Sequence, residues 1–323
     1  MKKILITGIT GQDGIFLTSK ILKSEDKIEI IGVSRNKNLK PFYENLKKLN
    51  ITKLENVKVE NVNLIDKVAV QQFLESKSPS EIYNLSGPSS VNKSFSKDSE
   101  SYEKIVKIFE NLVSGSIKSR KFPAFFQASS SEMFSPDAEE ALTEESLMKP
   151  NSPYAEAKYH IHNEINLLVE KFNWNIISGI MFNHESEYRD RNYLMPKIID
   201  YSKNINLKNK SKLKIGSLDY VRDWSYAGDI MDAVYKLMSN GATGSFVIGS
   251  GIGNTIQKMI EIIFQYQNLN WKDFIEIDPT LLRKGDPLVR VANPKKINDM
   301  YKWKANLNFE DLVIKCLTHE LSV

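Results

Sequence analysis

Apolar and polar positions along the first half of the chain alternate in a pattern that reads as strand, helix, strand. Ile4-Leu5-Ile6 is a short apolar run ending in Thr7-Gly8, as a buried strand does. From Gly14 the period changes, and Ile15, Leu17, Ile21 and Leu22 recur at helical spacing. Ile28 to Val33 predicts the next strand, and the alternating Val57 to Val62 the third. Ile82 to Leu85, Phe125 to Ser129 and Ile176 to Phe182 predict a fourth, fifth and sixth. Helical patterns occupy Val68 to Leu74, Ile105 to Ile117 and Pro153 to Phe172. Strands alternating with helices in this way predict an α/β fold with a doubly wound parallel sheet.

After Phe182 the alternation weakens. Asn183 to Asn192 is polar and loop-like, and Lys208, Lys210, Lys212 and Lys214 read as a solvated loop entering a strand. Short strands are expected at Leu213 to Ile215 and Phe246 to Ile248. Helices are expected at Asp229 to Leu237, Thr255 to Tyr266 and Phe309 to Leu321. This part reads as a smaller, irregular region, with no internal repeat and no low-complexity linker.

Composition narrows the classes. The 323 residues are 41% hydrophobic and 26% charged, an ordinary globular balance. Lys+Arg 44 against Asp+Glu 40 leaves a net charge of +4, too weak and too evenly spread to predict a nucleic-acid or membrane partner. Cys316 is the one cysteine, so no intrachain disulfide is possible, which fits a reducing cytoplasm. With four histidines (His160, His162, His184, His319) a metal site has little material, and none is expected. His160 and His162 stand two apart on a helix and share no face. The N-terminus has no secretory pattern, and no run approaches the roughly 18 apolar residues of a membrane span.

The first motif is Gly8-Ile9-Thr10-Gly11-Gln12-Asp13-Gly14, with glycines spaced three and three after a strand and at the start of a helix. Gly8 permits the tight turn, Gly11 lets backbone approach a pyrophosphate, and Gly14 permits close packing. The helix amides then face the phosphate charge, so Gly8, Thr10, Gly11, Gln12, Asp13 and Gly14 are assigned to a dinucleotide. Residues 1–182 are therefore expected to be the Rossmann domain, with a later strand or helix returning to it, and 183–323 mainly the substrate-binding region. An NAD site places an acidic residue roughly 20 positions on. Ser34 stands there, followed by Arg35, Asn36 and Lys37, with no carboxylate. A hydroxyl and two cations suit a 2′-phosphate, which predicts NADP and assigns Arg35 to it. Asn63, Leu64 and Leu85, at the ends of the third and fourth strands, are counted as further cofactor contacts.

The second motif pairs Tyr154 and Lys158, four residues apart on one helical face. The ammonium lowers the phenol's pKa, so that Tyr154 can exchange a proton with a sugar hydroxyl while a nicotinamide takes the hydride. Ser130, at the carboxyl end of the fifth strand, can bond the same hydroxyl. Glu132 is the informative addition, because a simple reductase needs no such carboxylate. Oxidation at C4 acidifies the C5 hydrogen. Glu132 could remove it, the C6 hydroxyl would leave as water, and the hydride would return to C6.

At these residues the chain resembles the GDP-mannose 4,6-dehydratase family of extended short-chain dehydrogenases. Besides the glycine loop, the resemblance is carried by Glu81-Ile82-Tyr83-Asn84-Leu85, Gln127-Ala128-Ser129-Ser130-Ser131-Glu132, Ser152-Pro153-Tyr154 with Ala157-Lys158, Phe182-Asn183-His184-Glu185-Ser186 and Arg222-Asp223-Trp224. It implies Ser130, Glu132, Tyr154 and Lys158 as the catalytic set, with serine in place of the usual threonine. It implies Asn183, Lys197 and Arg222 around GDP, Arg222 on the diphosphate. Arg283 and Asp286 look similar to an Arg…Glu pair holding phosphate and ribose. Ser90, Ser131 and Glu185 are counted as substrate contacts.

The chain departs from the family at Ser86-Gly87-Pro88-Ser89-Ser90-Val91, where Ala-Ala-Gln-Ser-His-Val is usual. Smaller side chains leave room for a 2-acetamido group, so GDP-N-acetylglucosamine stands beside GDP-mannose as candidate substrate. The family's double arginine is reduced to Ser34-Arg35. The resemblance implies a homodimer or homotetramer and a role in deoxysugar or surface-glycan synthesis. A GDP-sugar 4-reductase or 4-epimerase is the alternative enzyme, and an NADP-sensing regulator the alternative class. His184 is expected to be a structural hydrogen-bonder, Cys316 a buried small residue, and Trp224 to pack under the nucleotide-binding strand.

Overall fold

The computed structural model describes residues 1–89, 91–95, 100–138, 140–205, 211–282 and 285–319. Its elements begin β1 (Lys2–Thr7), α1 (Gln12–Ser24), β2 (Ile28–Val33), α2 (Lys40–Lys48), β3 (Val57–Glu60), α3 (Lys67–Lys77), β4 (Glu81–Asn84), α4 (Val91–Ser94), α5 (Ser101–Lys118), β5 (Ala124–Ser130), α6 (Pro153–Phe172) and β6 (Ile176–Met181). They continue with β7 (His184–Glu185), α7 (Leu194–Lys203), β8 (Leu213–Ile215), β9 (Val221–Asp223), β10 (Ser225–Tyr226), α8 (Ala227–Ser239), β11 (Gly244–Ile248), β12 (Gly253–Thr255), α9 (Ile256–Tyr266), β13 (Ile275–Ile277), β14 (Val289–Arg290), α10 (Lys295–Tyr301) and α11 (Phe309–Thr318).

Seven strands form one sheet in the order β11-β6-β5-β4-β1-β2-β3, and the pairs from β3 through β6 run parallel. This is the doubly wound order, reversing direction between β1 and β4. Strands buried on both faces need apolar side chains at nearly every position, which is why they read as continuous runs in the sequence. Every residue of β4 and β6 is buried. On one face Leu5, Ile31, Ile82, Phe125 and Ile176 pack with Val70, Phe73, Leu112, Ile161 and Ile165 from α3, α5 and α6.

The chain forms two compact units. The first comprises Met1–Met133, Met148–Met181 and Met231–Phe246, and the second Phe134–Leu147, Phe182–Ile230 and Val247–Val323. The second carries small sheets of two and three strands. Its core gathers Met195, Ile198, Trp224, Ile260, Ile263, Phe264, Phe309, Leu312 and Val313.

Several local expectations change. The third strand stops at Glu60 rather than Val62, because its neighbour β2 ends at Val33, the pairing partner of Glu60. Helix α2 was not expected, since only Phe42 and Leu46 are buried on it. Helix α7 was not expected either. Pro196 sits in its first turn, where proline is tolerated, and Met195, Ile198 and Ile199 supply the buried stripe. The last helix ends at Thr318, and residues beyond 319 lie outside the described ones. Lys208 and Lys210 also lie outside them, while Lys214 is in β8.

Candidate functional site

The glycine loop connects β1 to α1. Gly8 has φ of +71°, and a Cβ there would lie 2.9 Å from the Leu85 carbonyl oxygen, so both the turn and the approach of the β4 end demand glycine. A Cβ on Gly14 would lie 2.3 Å from the Ile9 carbonyl oxygen. Gly11 caps α1 and brings no side chain to its N-terminus. A helix end with main-chain amides and no capping side chain is a phosphate seat, so these residues fit a dinucleotide.

Ser34 follows β2 and is buried. Its hydroxyl meets Thr10 Oγ1 at 2.8 Å and accepts from the Asn36 amide at 3.0 Å, tying this turn to the glycine loop. Arg35 and Lys37 are exposed. Asn63 accepts from the Ile65 amide at 3.2 Å. Leu64 turns its side chain into the core, and its carbonyl accepts from Asn111 Nδ2 at 2.9 Å.

The four residues of the expected catalytic set all lie in the first unit. Ser152 caps α6 by accepting from the Ala155 amide at 3.1 Å, and Pro153 occupies the first turn. That start fixes Tyr154 and Lys158 on one buried face, with Lys158 Nζ 5.7 Å from the Tyr154 ring centre. Lys158 Nζ donates to the Ala128 carbonyl at 2.6 Å, and burial pushes its ammonium down to about 8. Ser130 ends β5, and Ser131–Met133 form a 3₁₀ turn that packs against α6. The Glu132 amide donates to Ser130 Oγ at 3.2 Å, so the turn itself sets the serine relative to the glutamate backbone. A buried phenol beside a buried ammonium, with a hydroxyl and a carboxylate on the adjoining turn, can move two different protons of one substrate.

The second unit holds Asn183, Glu185, Lys197, Arg222 and Asp286. Arg222, on β9, is buried; it donates to the Val221 carbonyl at 2.9 Å, the Leu288 carbonyl at 3.3 Å and Asp286 Oδ1 at 2.9 Å. Asp286 is thus placed on Arg222, whereas Arg283 and Ser90 lie outside the described residues. Glu185 is buried and faces Arg189 at 3.6 Å. Lys197 is exposed on α7. The Asn183 carbonyl accepts from the Ser225 amide at 2.9 Å. His184 Nδ1 meets the Phe182 carbonyl at 2.7 Å, and Trp224 stacks on Phe309 at 5.5 Å. Burial pushes the partly covered Cys316 thiol up.

Two features received no role in the sequence reading. Asp223 accepts from the Ser250 amide and hydroxyl at 2.9 and 2.6 Å, from the Gly251 amide at 2.8 Å and from the Ala292 amide at 3.2 Å. Burial pushes its carboxyl up, against these bonds. Asn84, which ends β4, and Gln127, in the middle of β5, join across the sheet at 2.8 Å. A polar residue directly after apolar ones within a buried strand is the signal that marks them. Among the described residues no cluster of three or more His, Cys, Asp and Glu is placed to hold a metal, and no helix is long and apolar enough to cross a membrane.

The sequence profile described as GDP-mannose 4,6 dehydratase matches residues 5–316. GDP-mannose 4,6 dehydratase 2 of Arabidopsis thaliana is 30% identical over 328 residues, covering 100% of this chain and 87% of its own. The Homo sapiens GDP-mannose 4,6 dehydratase is 30% identical over 338 residues, covering 96% and 88%. Among solved structures, a Bacillus anthracis dTDP-glucose 4,6-dehydratase in complex with NAD superposes with a TM-score of 0.82 at 20% identity, covering 98% of this chain and 96% of that one. A Thermotoga maritima UDP-glucose 4-epimerase with UDP-glucose gives 0.84 at 19% identity, covering 98% and 97%. At these identities the likeness to the two structures is one of fold.

Proposed function

The chain belongs to the GDP-mannose 4,6-dehydratase family, and we propose that it converts a GDP-hexose to the GDP-4-keto-6-deoxyhexose with NADP as its resident cofactor. The observation that carries this reading is Glu132, a carboxylate on the turn between Ser130 and the helix of Tyr154 and Lys158. When bound to the glycine loop, a nicotinamide dinucleotide supplies a hydride acceptor at C4 and a hydride donor at C6. Tyr154, held as a phenolate by the Lys158 ammonium, takes the proton of the C4 hydroxyl and becomes the neutral phenol. Ser130 Oγ accepts from the Glu132 amide, which leaves its own O–H to donate to the C4 oxygen. Once C4 is a ketone, Glu132 removes the acidified C5 proton and returns a proton to the departing C6 hydroxyl; as C6 gains its hydride, C5 regains a proton, the equivalent of the one Tyr154 took from the C4 hydroxyl. Arg222 holds the diphosphate, a role its forked donors suit.

Mass analysis of products tests this. The purified protein, given GDP-mannose and no added reductant, is expected to yield a 4-keto product lighter by one water. Retention of the C6 hydroxyl would instead favour the 4-reductase or 4-epimerase reading. Running GDP-N-acetylglucosamine in parallel decides whether the small residues Gly87 and Ser90 admit a 2-acetamido group. The exposed Arg35 and Lys37, with no carboxylate after β2, support NADP. Fluorescence titration is expected to show NADPH binding at least about tenfold more tightly than NADH, a single charge-assisted contact being worth that much.

A further inference from the structure

The first unit carries a row of buried polar side chains that the chemistry above does not use. In β1, β4, β5 and β6 the core residues Leu5, Ile82, Phe125 and Ile176 stand in register. Two residues further along each strand, on the same face, stand Thr7, Asn84, Gln127 and Ser178, again in register. None of the four is more than 1% exposed. Buried amides are costly unless bonded, and these are bonded in one continuous direction.

The Ser86 amide donates to Thr7 Oγ1 at 3.3 Å, and the Thr7 hydroxyl donates to Asn84 Oδ1 at 2.7 Å. Asn84 Nδ2 donates to Gln127 Oε1 at 2.8 Å, and Gln127 Nε2 donates to the Ala128 carbonyl at 2.9 Å. The second donor on that carbonyl is Lys158 Nζ, at 2.6 Å. The ends fix the sense of every joint. A main-chain amide only donates and a carbonyl only accepts, so both side-chain amides have one allowed orientation. Two donors use both lone pairs of the Ala128 oxygen. The row therefore runs from the turn after β4, which contacts the glycine loop, to the lysine beside Tyr154.

We propose that Gln127 is a positioning residue: oriented by Asn84 and Thr7, it holds the Ala128 carbonyl as a shared acceptor and so fixes the Lys158 ammonium beside Tyr154. An oxygen already engaged by an aligned N–H has less acceptor strength left for an ammonium, so the row keeps the Lys158 proton looser than burial alone would. The titratable groups around that face are Tyr154 and His162 on α6, Glu132 on the turn packed against α6, and Tyr102 of α5, which meets His160. Burial depresses the Lys158 ammonium, and the shared carbonyl sets how much of that depression its hydrogen bond offsets.

The inference rests on the roles given to Tyr154 and Lys158 above, but its measurement needs no turnover. In cofactor-free protein labelled with ¹³C at lysine Cε, the Lys158 resonance, assigned by its loss in Lys158→Arg, is followed against pH. In Gln127→Met the Lys158 pKa is expected to rise by about half a unit or more, the scale on which hydrogen bonds move such groups. The double variant Asn84→Leu/Gln127→Met leaves no amide without its partner and is expected to show the same rise, even if the single variant does not fold. Ser178→Ala serves as control, because the Ser178 hydroxyl meets His162 Nδ1 at 3.1 Å instead of joining the row. An unmoved Lys158 in the folded row variants, or an equal rise in Ser178→Ala, overturns the positioning role. Failure of the parent protein to act on both GDP-mannose and GDP-N-acetylglucosamine would overturn the reaction while leaving this titration interpretable.

Discussion

The two units hold their functional side chains by different means. In the first, a repeating strand–helix pattern does the placing. Ser130 ends a buried strand, Glu132 lies on the turn that follows, and Tyr154 and Lys158 start a capped helix. In the second, the strands are two or three residues long around Arg222, and discrete polar contacts do the placing. Arg222 is held by Asp286 and two carbonyls, and the loops beside it by the buried Asp223. A periodic scaffold sets such side chains through its backbone. A site assembled from ion pairs depends on each partner, because breaking a largely covered pair costs more than the pair itself contributes.

That contrast predicts which variants lose chemistry and which lose structure. The largest expected effect is Glu132→Gln: turnover of GDP-mannose falls about 10²–10⁴-fold, the range of general acid–base catalysis, while calorimetry shows nucleotide-sugar binding retained. Near wild-type release of product would remove the base assignment. Arg222→Ala is expected to lower nucleotide-sugar binding and also folding stability, by about 3–5 kcal/mol in a denaturant titration, since it breaks a largely covered ion pair together with two bonds to main-chain carbonyls. An unchanged midpoint would mean that the second unit is not held by this pair.

Lys158 sharpens the comparison, because its burial costs stability where the proposed chemistry needs its charge. Its folded value of about 8 lies below the ordinary 10.5, so between these values the folded chain binds fewer protons than the unfolded one. The cost is therefore full below about pH 8 and is relieved as pH rises towards 10.5. Lys158→Met is expected to raise stability at pH 7 by up to about 3 kcal/mol, with the gain shrinking above pH 8, while turnover collapses. A lower Tm at pH 7 would contradict this. The smallest effect is Gly8→Ala, where a left-handed alanine costs about 1–2 kcal/mol and meets the Leu85 carbonyl. Weakened dinucleotide binding with little change in Tm would show that the loop stores its strain locally.

Legibility in the sequence follows the same division. The strands, α6 and the glycine loop were readable because burial on both faces forces continuous apolar runs, and because the tight turn and close approach of the loop demand glycine. Helix α7 was hidden by Pro196, and α2 by having only Phe42 and Leu46 to bury. Leu64, assigned to the cofactor, turns its side chain into the core, so its main chain is what it offers a ligand. The Arg222–Asp286 pair and the Asp223 contacts join residues dozens of positions apart, and no local period announces such partners.

The amino-acid sequence by itself determined the doubly wound sheet, the glycine turn that opens α1 and the helical spacing of Tyr154 with Lys158. Each of these follows from side-chain period and backbone sterics within one element or its adjoining turn. The tertiary structure alone decided that Thr7, Asn84 and Gln127 stand in one register, that Ala128 is shared between Gln127 and Lys158, and that Asp286 faces Arg222. Those pairings depend on which strands become neighbours and in what register, a choice made by the burial of the whole core.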